Sequence, residues 1–226
     1  MKKNLILALI AVMVLASCGS VTSFESPNSL RNMTGTLFLT NGKSVDGKLV
    51  IQMGNMFGSD VKVYADGEKD AMKFNLGEVE GYRIRGDYYS LKEKKGGIAL
   101  GRRLSFMKRL TPENSRIHLF EDVERVSETH KVNGRDETNY RYEIEYYMQL
   151  PNEATSNVYP LGGSRFVPNF DEKMSRMVSD CPSLAQKIVA KESGYFYAQI
   201  SLFKEKRADV LMNIIDEYNR CGKSSF

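Results

Sequence analysis

The chain has 226 residues, with 32 Lys or Arg against 28 Asp or Glu, a formal net charge of +4. Lys2 and Lys3 belong to a segment that export would remove, which leaves about +2, so the basic balance is no argument for a nucleic-acid partner. About 209 residues then remain, enough for one large domain or two small ones with a real core.

Met1-Lys2-Lys3 is a short positive start, and Leu5 to Leu15 is an almost unbroken apolar run. The run is too short to cross a hydrocarbon core of about 30 Å, so it predicts a signal peptide over residues 1–17 rather than a spanning helix. Leu15-Ala16-Ser17-Cys18 resembles the bacterial lipobox, in which small residues before a cysteine admit the lipoprotein signal peptidase and the sulfur carries diacylglycerol. The resemblance implies lipidation at Cys18 and a mature protein anchored in a membrane through fatty-acyl chains. An ordinary secretory signal cleaved near Ala16 is the competing reading. Residues 18–34 are small and polar with no apolar period, which predicts a flexible tether and order beginning near Thr34.

Residues 35–150 carry the signals of an antiparallel β domain. Apolar-alternating runs flank Asn41-Gly42, Asp66-Gly67 and Asn133-Gly134, dipeptides that take the positive φ of tight hairpins. Before the last strand ends at Leu150, Tyr140, Tyr142, Ile144, Tyr146 and Met148 alternate with Arg141, Glu143, Glu145 and Gln149, predicting one apolar and one wet face. Residues 151–169, with three prolines and Gly162-Gly163, read as a connecting loop. Residues 170–226 change to helical spacing, with Pro182 suited to a first turn, Gly194 to a stop, and Phe196 to Tyr218 to one long amphipathic helix. The expected fold class is α+β, an N-terminal antiparallel β-barrel or sandwich followed by a C-terminal helical segment packed on it.

With Cys18 assigned to lipid, Cys181 and Cys221 form an even pair in an oxidising compartment, where a disulfide is the default. A bridge closing a loop of that length contributes about 4 kcal/mol in the chain-entropy account. It conflicts with one unbroken helix from residue 196, which would hold the sulfurs some 20 Å apart at about 1.5 Å per residue, so it needs a break near residue 204. Two separate buried thiols are the alternative.

Catalytic signals are weak. His118 and His130 are the two histidines, neither with a zinc-motif partner or triad serine, and no nucleophile elbow, phosphate-cradling loop or calcium loop is present, so no cofactor or metal is expected. Glu121, Asp122, Glu124, Glu143 and Glu145 offer carboxylates for acid–base work, although alternating acids on a strand ordinarily form its solvated face. Lys92, Lys94, Lys95, Arg102, Arg103, Lys108 and Arg109 stand against Glu93 alone, the strongest local charge bias, readable as a solvated hairpin tip or as a surface for anionic lipid or acidic glycan. Arg85-Gly86-Asp87 spells an adhesion tripeptide but is ordinary turn chemistry. The tyrosines suit core pairing or a glycan-stacking face. Met53/Met56 and Met174/Met177 read as packing.

The lipobox together with Val167-Pro168-Asn169-Phe170, Asp180-Cys181-Pro182 and Glu217-Tyr218-Asn219-Arg220-Cys221 resembles uncharacterised lipoproteins of the Bacteroidota. Surface display in such bacteria is associated with acids soon after the lipidated cysteine. Here the first acid is Glu25, so the resemblance implies an outer-membrane protein facing the periplasm. The functional expectation is a non-enzymatic, membrane-tethered interaction or envelope-assembly module with an envelope protein partner. A glycan- or anionic-lipid-binding lipoprotein is the second reading and an envelope hydrolase the third.

Overall fold

The computed structural model describes residues 22–54, 59–95, 104–132, 135–151, 153–198 and 204–221. The signal segment and Cys18 lie outside them, as do Met56, Arg102 and Arg103.

The fold is α+β. Its strands are β1 (Ser23–Ser26), β2 (Ser29–Leu39), β3 (Ser44–Gln52), β4 (Asp60–Tyr64), β5 (Met72–Phe74), β6 (Val79–Ile84), β7 (Asp87–Lys94), β8 (Leu104–Arg109), β9 (His118–Val132), β10 (Arg135–Gln149) and β11 (Asn157–Pro160). Three helices follow: α1 (Phe170–Met177), α2 (Pro182–Val189) and α3 (Lys204–Arg220).

Turn chemistry sets the hairpins. Gly42 and Gly67 sit at φ 79° and 83°, as their Asn-Gly and Asp-Gly contexts require. Arg85 and Gly86 both have positive φ, 51° and 88°, and Ile84 pairs directly with Asp87, which makes the Arg-Gly-Asp tripeptide a type I′ hairpin turn. Asp87 is then held 2.9 Å from Lys108 Nζ. Gly35 opposes Gly47 across β2 and β3, and a side-chain carbon at Gly35 would strike the backbone oxygen of Arg83 on β6.

Strand β7 joins the two halves of the sheet. Along one edge its residues 87–90 pair with β6, but Glu93 and Lys94 pair in parallel with Asn157 and Val158 of β11. Because β8, β9 and β10 link β7 to β11 in antiparallel succession, that parallel contact closes β7 to β11 into a five-stranded ring. Strands β6, β2, β3, β4 and β5 continue the sheet outward.

Alternation sorts the side chains into three cores. Leu30, Leu37, Leu49, Ile51, Val61 and Tyr82 fill the N-terminal one, reaching Tyr89 and Phe106 on the ring's outer surface. Leu119 and Met148, also outward-facing, pack under Phe170, Met174, Leu184, Leu211 and Ile214 of the helices. Met107, Phe120, Tyr147 and Val158 fill the ring itself. Fully burying one such side chain contributes roughly 2–3 kcal/mol.

Four expectations change. Order begins by Ser23 rather than Thr34, because the polar stretch expected as a tether is paired: Ser23 opposes Arg31 across β1 and β2, and Ser29 opposes Gln52 of β3. Backbone pairing gives no apolar period to read. The connecting loop contains β11, whose Val158 and Tyr159 are buried. The expected helix from residue 196 is not found there: residues 195–198 are irregular, and the helix is described from Lys204. That later start resolves the cysteine conflict, since α2 and α3 run antiparallel, Lys187 reaches Glu217 at 2.9 Å, and Cys181 and Cys221 are disulfide-bonded with Cα atoms 5.9 Å apart. Finally, the alternating face of β10 is covered only at its inner end. Met148 is fully buried, whereas Tyr140 and Tyr142 are more than half exposed.

Candidate functional site

The residues that sequence reasoning offered for chemistry fall into two places, the interior of the ring and the hairpin that grows out of it. Inside the ring, alternate side chains of each strand meet those of its neighbours. Lys92 opposes Ser105, and Lys94 lies two residues further along the same face. From β9, Phe120 and Asp122 enter the same space, and from β10, Tyr147 and Gln149 do.

The polar groups there satisfy one another. Asn28 Nδ2 donates to Ser105 Oγ at 2.8 Å, Ser105 Oγ donates to Asp122 Oδ1 at 2.8 Å, and Lys94 Nζ meets Asp122 Oδ2 at 2.5 Å while also contacting Glu124. Asn28 Oδ1 accepts the Phe106 backbone N–H at 2.8 Å, so this one side chain ties the β1–β2 turn to β8. Lys92 Nζ donates to Thr155 O at 2.5 Å and to Gln149 Oε1 at 3.2 Å, and lies 4.6 Å above the Phe120 ring. Burial pushes the Lys92 amine down to about 8, with Arg109 lowering it further and Glu80 opposing. Burial also raises the Asp122 carboxyl against the pull of Lys94. For Lys94 burial works against the charge, but Asp122 and Glu124 outweigh it and hold the amine above its ordinary value.

This arrangement does structural work. Each Asp122 oxygen already accepts a partner, and two of the Lys92 protons are donated inward, so neither group is aimed at a substrate. A buried pair of this kind is costly to break, because removing one member strands the other. A groove of about 520 Å³ opens at the seam where β7 passes from β6 to β11, lined by Glu80, Leu91, Lys92, Glu93, Leu104 and Thr155 among others.

Among the described residues the basic segment is dispersed. Lys92 and Lys94 point into the ring, Lys95 pairs with Glu93 at 2.5 Å, Lys108 with Asp87, and Arg109 lies 3.6 Å from Glu113 and 4.6 Å over the Tyr88 ring. The reason is the period of two. Strands β7 and β8 send alternate residues inward, so a run of cations in sequence is divided between interior and surface.

His118 Nδ1 shares a 3.1 Å hydrogen bond with Thr111 Oγ1, which itself accepts the Leu119 N–H at 3.3 Å, and burial lowers the imidazole with help from Arg109 and Lys92. His130 is exposed, 3.6 Å from Glu128. Glu121 opposes Tyr146 and Glu143 opposes Glu124, which puts Glu121 and Glu143 on opposite faces of the hairpin, while Glu124 and Glu143, like Asp122 and Glu145, are cross-strand partners on one face. Tyr82 stacks on Tyr89 at 4.8 Å and donates to Pro27 O at 2.7 Å, a core role. Met53 and Met174 are buried in separate cores.

The hairpin β9–β10 is the second place. Val132 pairs with Arg135 at one end and His118 with Gln149 at the other, yet β8 covers only Glu121 and Phe120 of β9, and β11 only Tyr147 and Met148 of β10. Ten pairs beyond Asp122 and Glu145 therefore project as a two-stranded arm, about 33 Å long at 3.3 Å per residue. One face of that arm, from Val123 to Thr129 and Thr138 to Ile144, carries Val123, Arg125, Ser127, Thr129, Thr138, Tyr140, Tyr142 and Ile144, with a single charge. Over the same span the other face carries Glu124, Val126, Glu128, Asn139, Arg141 and Glu143, with Arg141 bridging Glu128 at 2.8 Å and Glu143 at 2.7 Å; nearer the tip, Lys131 and Asp136 lie on the first face and His130 and Glu137 on the second.

Sequence reasoning missed Asp122 as a buried partner of Lys94. The available signal was its parity with Phe120, which puts an acid on the apolar phase of β9. Among the described residues no helix is long and apolar enough to cross a membrane, and no three His, Cys, Asp or Glu side chains converge as a metal set. Comparison of the chain with protein-family models, with curated proteins and with solved structures finds no match.

Proposed function

We propose that the protein is an exported lipoprotein, anchored at Cys18 in the cell envelope with its folded part in the periplasm, acting as a non-enzymatic interaction module that presents the β9–β10 arm to an envelope protein. The observation that supports this reading is the arm itself. It continues for ten residue pairs past the last strand that covers it, and its charged face offers Glu124, Glu128, Glu137, Arg141 and Glu143 to solvent. A hairpin with so little burial adds nothing to the cores, so its conformational cost is offset elsewhere, in contacts made outside the molecule.

Two measurements test the reading. Metabolic labelling of the full chain with a fatty acid should mark the wild type and leave Cys18→Ala unmarked; label on the variant overturns the anchor. A photo-crosslinking residue at position 139, on the charged face, should capture one discrete protein in intact envelopes. The same residue at position 66, in the β4–β5 turn, should capture none, and equal capture at both overturns the arm as docking element.

A further inference from the structure

We propose that the aromatic face of the arm, carried by Tyr140, Tyr142 and Ile144, lies on the bilayer surface, so that its aromatic side chains sit at the headgroup boundary while the opposite, charged face looks away from the lipid. The inference rests on the lipoprotein reading above and specifies how the anchored domain is oriented.

Three observations carry it. The first is a composition that exposure alone does not explain. Tyr140 and Tyr142 are 59% and 56% exposed and Ile144 38%, yet across residues 123–129 and 138–144 their face bears only Arg125, whereas the reverse face over that span bears Glu124, Glu128, Arg141 and Glu143; Lys131 and Asp136 return charge to the aromatic face at the tip of the arm. A ribbon wet on both sides has no reason to keep a period of two. A ribbon with one side against an apolar boundary does.

The second is the place where the chain leaves the fold. Only four residues separate Cys18 from Ser23, the first residue of β1, a reach of at most about 18 Å. Strand β1 ends that reach beside the arm, because Glu25 Oε2 meets Arg125 Nη1 at 3.0 Å and the Arg125 guanidinium lies 3.8 Å over the Tyr140 ring. A bilayer holding Cys18 is therefore brought to the base of the aromatic face. Phe24, also exposed, is next to Glu25 on the same short strand.

The third is the chemistry of the side chains. Tyrosine has an apolar ring and a wet hydroxyl, which is why it concentrates at membrane–water boundaries, and an arginine among such rings can reach lipid phosphate while its stem stays apolar. The arm's unpaired edges keep their backbone groups in the hydrated headgroup layer, where a two-stranded ribbon can lie but could not if buried in hydrocarbon.

The chain contains no tryptophan, so a single introduced one reports its own surroundings. Full-length lipidated Tyr142→Trp and Arg141→Trp, adjacent positions on opposite faces, are reconstituted into phosphatidylethanolamine–phosphatidylglycerol vesicles containing brominated phosphatidylcholine. The expected result is quenching several-fold stronger for Tyr142→Trp, and stronger with bromines near the headgroup than near the chain ends. Equal and weak quenching of both variants in chain that floats with the vesicles overturns the orientation and leaves the anchor standing. Chain that neither floats nor quenches overturns both. Emission of Tyr142→Trp that shifts to the blue with protein concentration, unaffected by bromolipid, assigns the face to a second copy and overturns the proposal. Circular dichroism matching the wild type establishes that each variant is folded.

Discussion

The inner and outer halves of the β9–β10 hairpin are built from the same two strands with the same alternation, and they have opposite fates. At the inner end Phe120 and Tyr147 face each other inside the ring, and Leu119 and Met148 lie under the helices, so both faces are buried. Seven and eight residues further out Tyr140 and Asn139 oppose Ser127 and Glu128, and both are exposed. The difference does not lie in the strands. It lies in what the rest of the chain brings to them, β8 and β11 at the edges and α3 on one face. A period of two announces that a face will be covered. It does not say by what.

The comparison is sharpest where the expected effects are largest. Phe120→Ala empties the centre of the ring and should cost about 4 kcal/mol in urea unfolding, whereas a cost below about 1 kcal/mol would mean the ring is not a packed core. Asp122→Ala leaves Lys94 with Glu124 alone and Ser105 without its acceptor, and should cost about 3 kcal/mol; Asp122→Asn, which keeps the Ser105 contact, should recover part of it.

The next prediction concerns pH. Lys92 titrates at about 8 in the folded chain against its usual 10.5 when unfolded. Below pH 8 both states carry the proton and the full cost of a buried cation is present. Between pH 8 and about 10 the folded chain releases it while the unfolded chain keeps it, so stability should rise by about 2 kcal/mol across that window. Lys92→Met should show no such rise, and parallel curves for the two chains would remove Lys92 as the cause. Above pH 10 the sign reverses, because Tyr88, Tyr89 and Tyr147, pushed up to about 12 by burial, hold protons that the unfolded chain loses. The smallest effect belongs to the arm: Tyr142→Ala and Arg141→Gln should each change unfolding by less than about 0.5 kcal/mol. A larger loss would mean the outer half contributes to the fold after all.

Legibility followed the same division. Hairpin turns were readable because Asn41-Gly42 and Asp66-Gly67 encode their φ locally, and α2 because Pro182 marks its first turn. Strands β1 and β11 were not: β1 is a short polar strand in a hairpin with Arg31 and its neighbours, with no apolar period of its own, and β11 is proline-bounded and ordered by pairing with Glu93, remote in sequence. The start of α3 was set too early because Phe196, which is not helical, falls at the helix's own spacing. The buried charges were the least readable of all. Lys92 and Lys94 look like surface cations until the ring places Asp122, Gln149 and Thr155 around them.

The parallel contact of β11 with β7 also dictates an order of assembly. Glu93 pairs with Asn157, so more than sixty residues must be delivered after β7 before its free edge finds that partner. In a chain threaded N-terminus first, the sheet from β2 to β5 can form early from consecutive strands, at small loop-closure cost. The ring cannot. Until the segment ending at Pro160 emerges, Lys92 and Lys94 remain hydrated, and the charges that later lock the interior keep the unfinished half soluble while it waits.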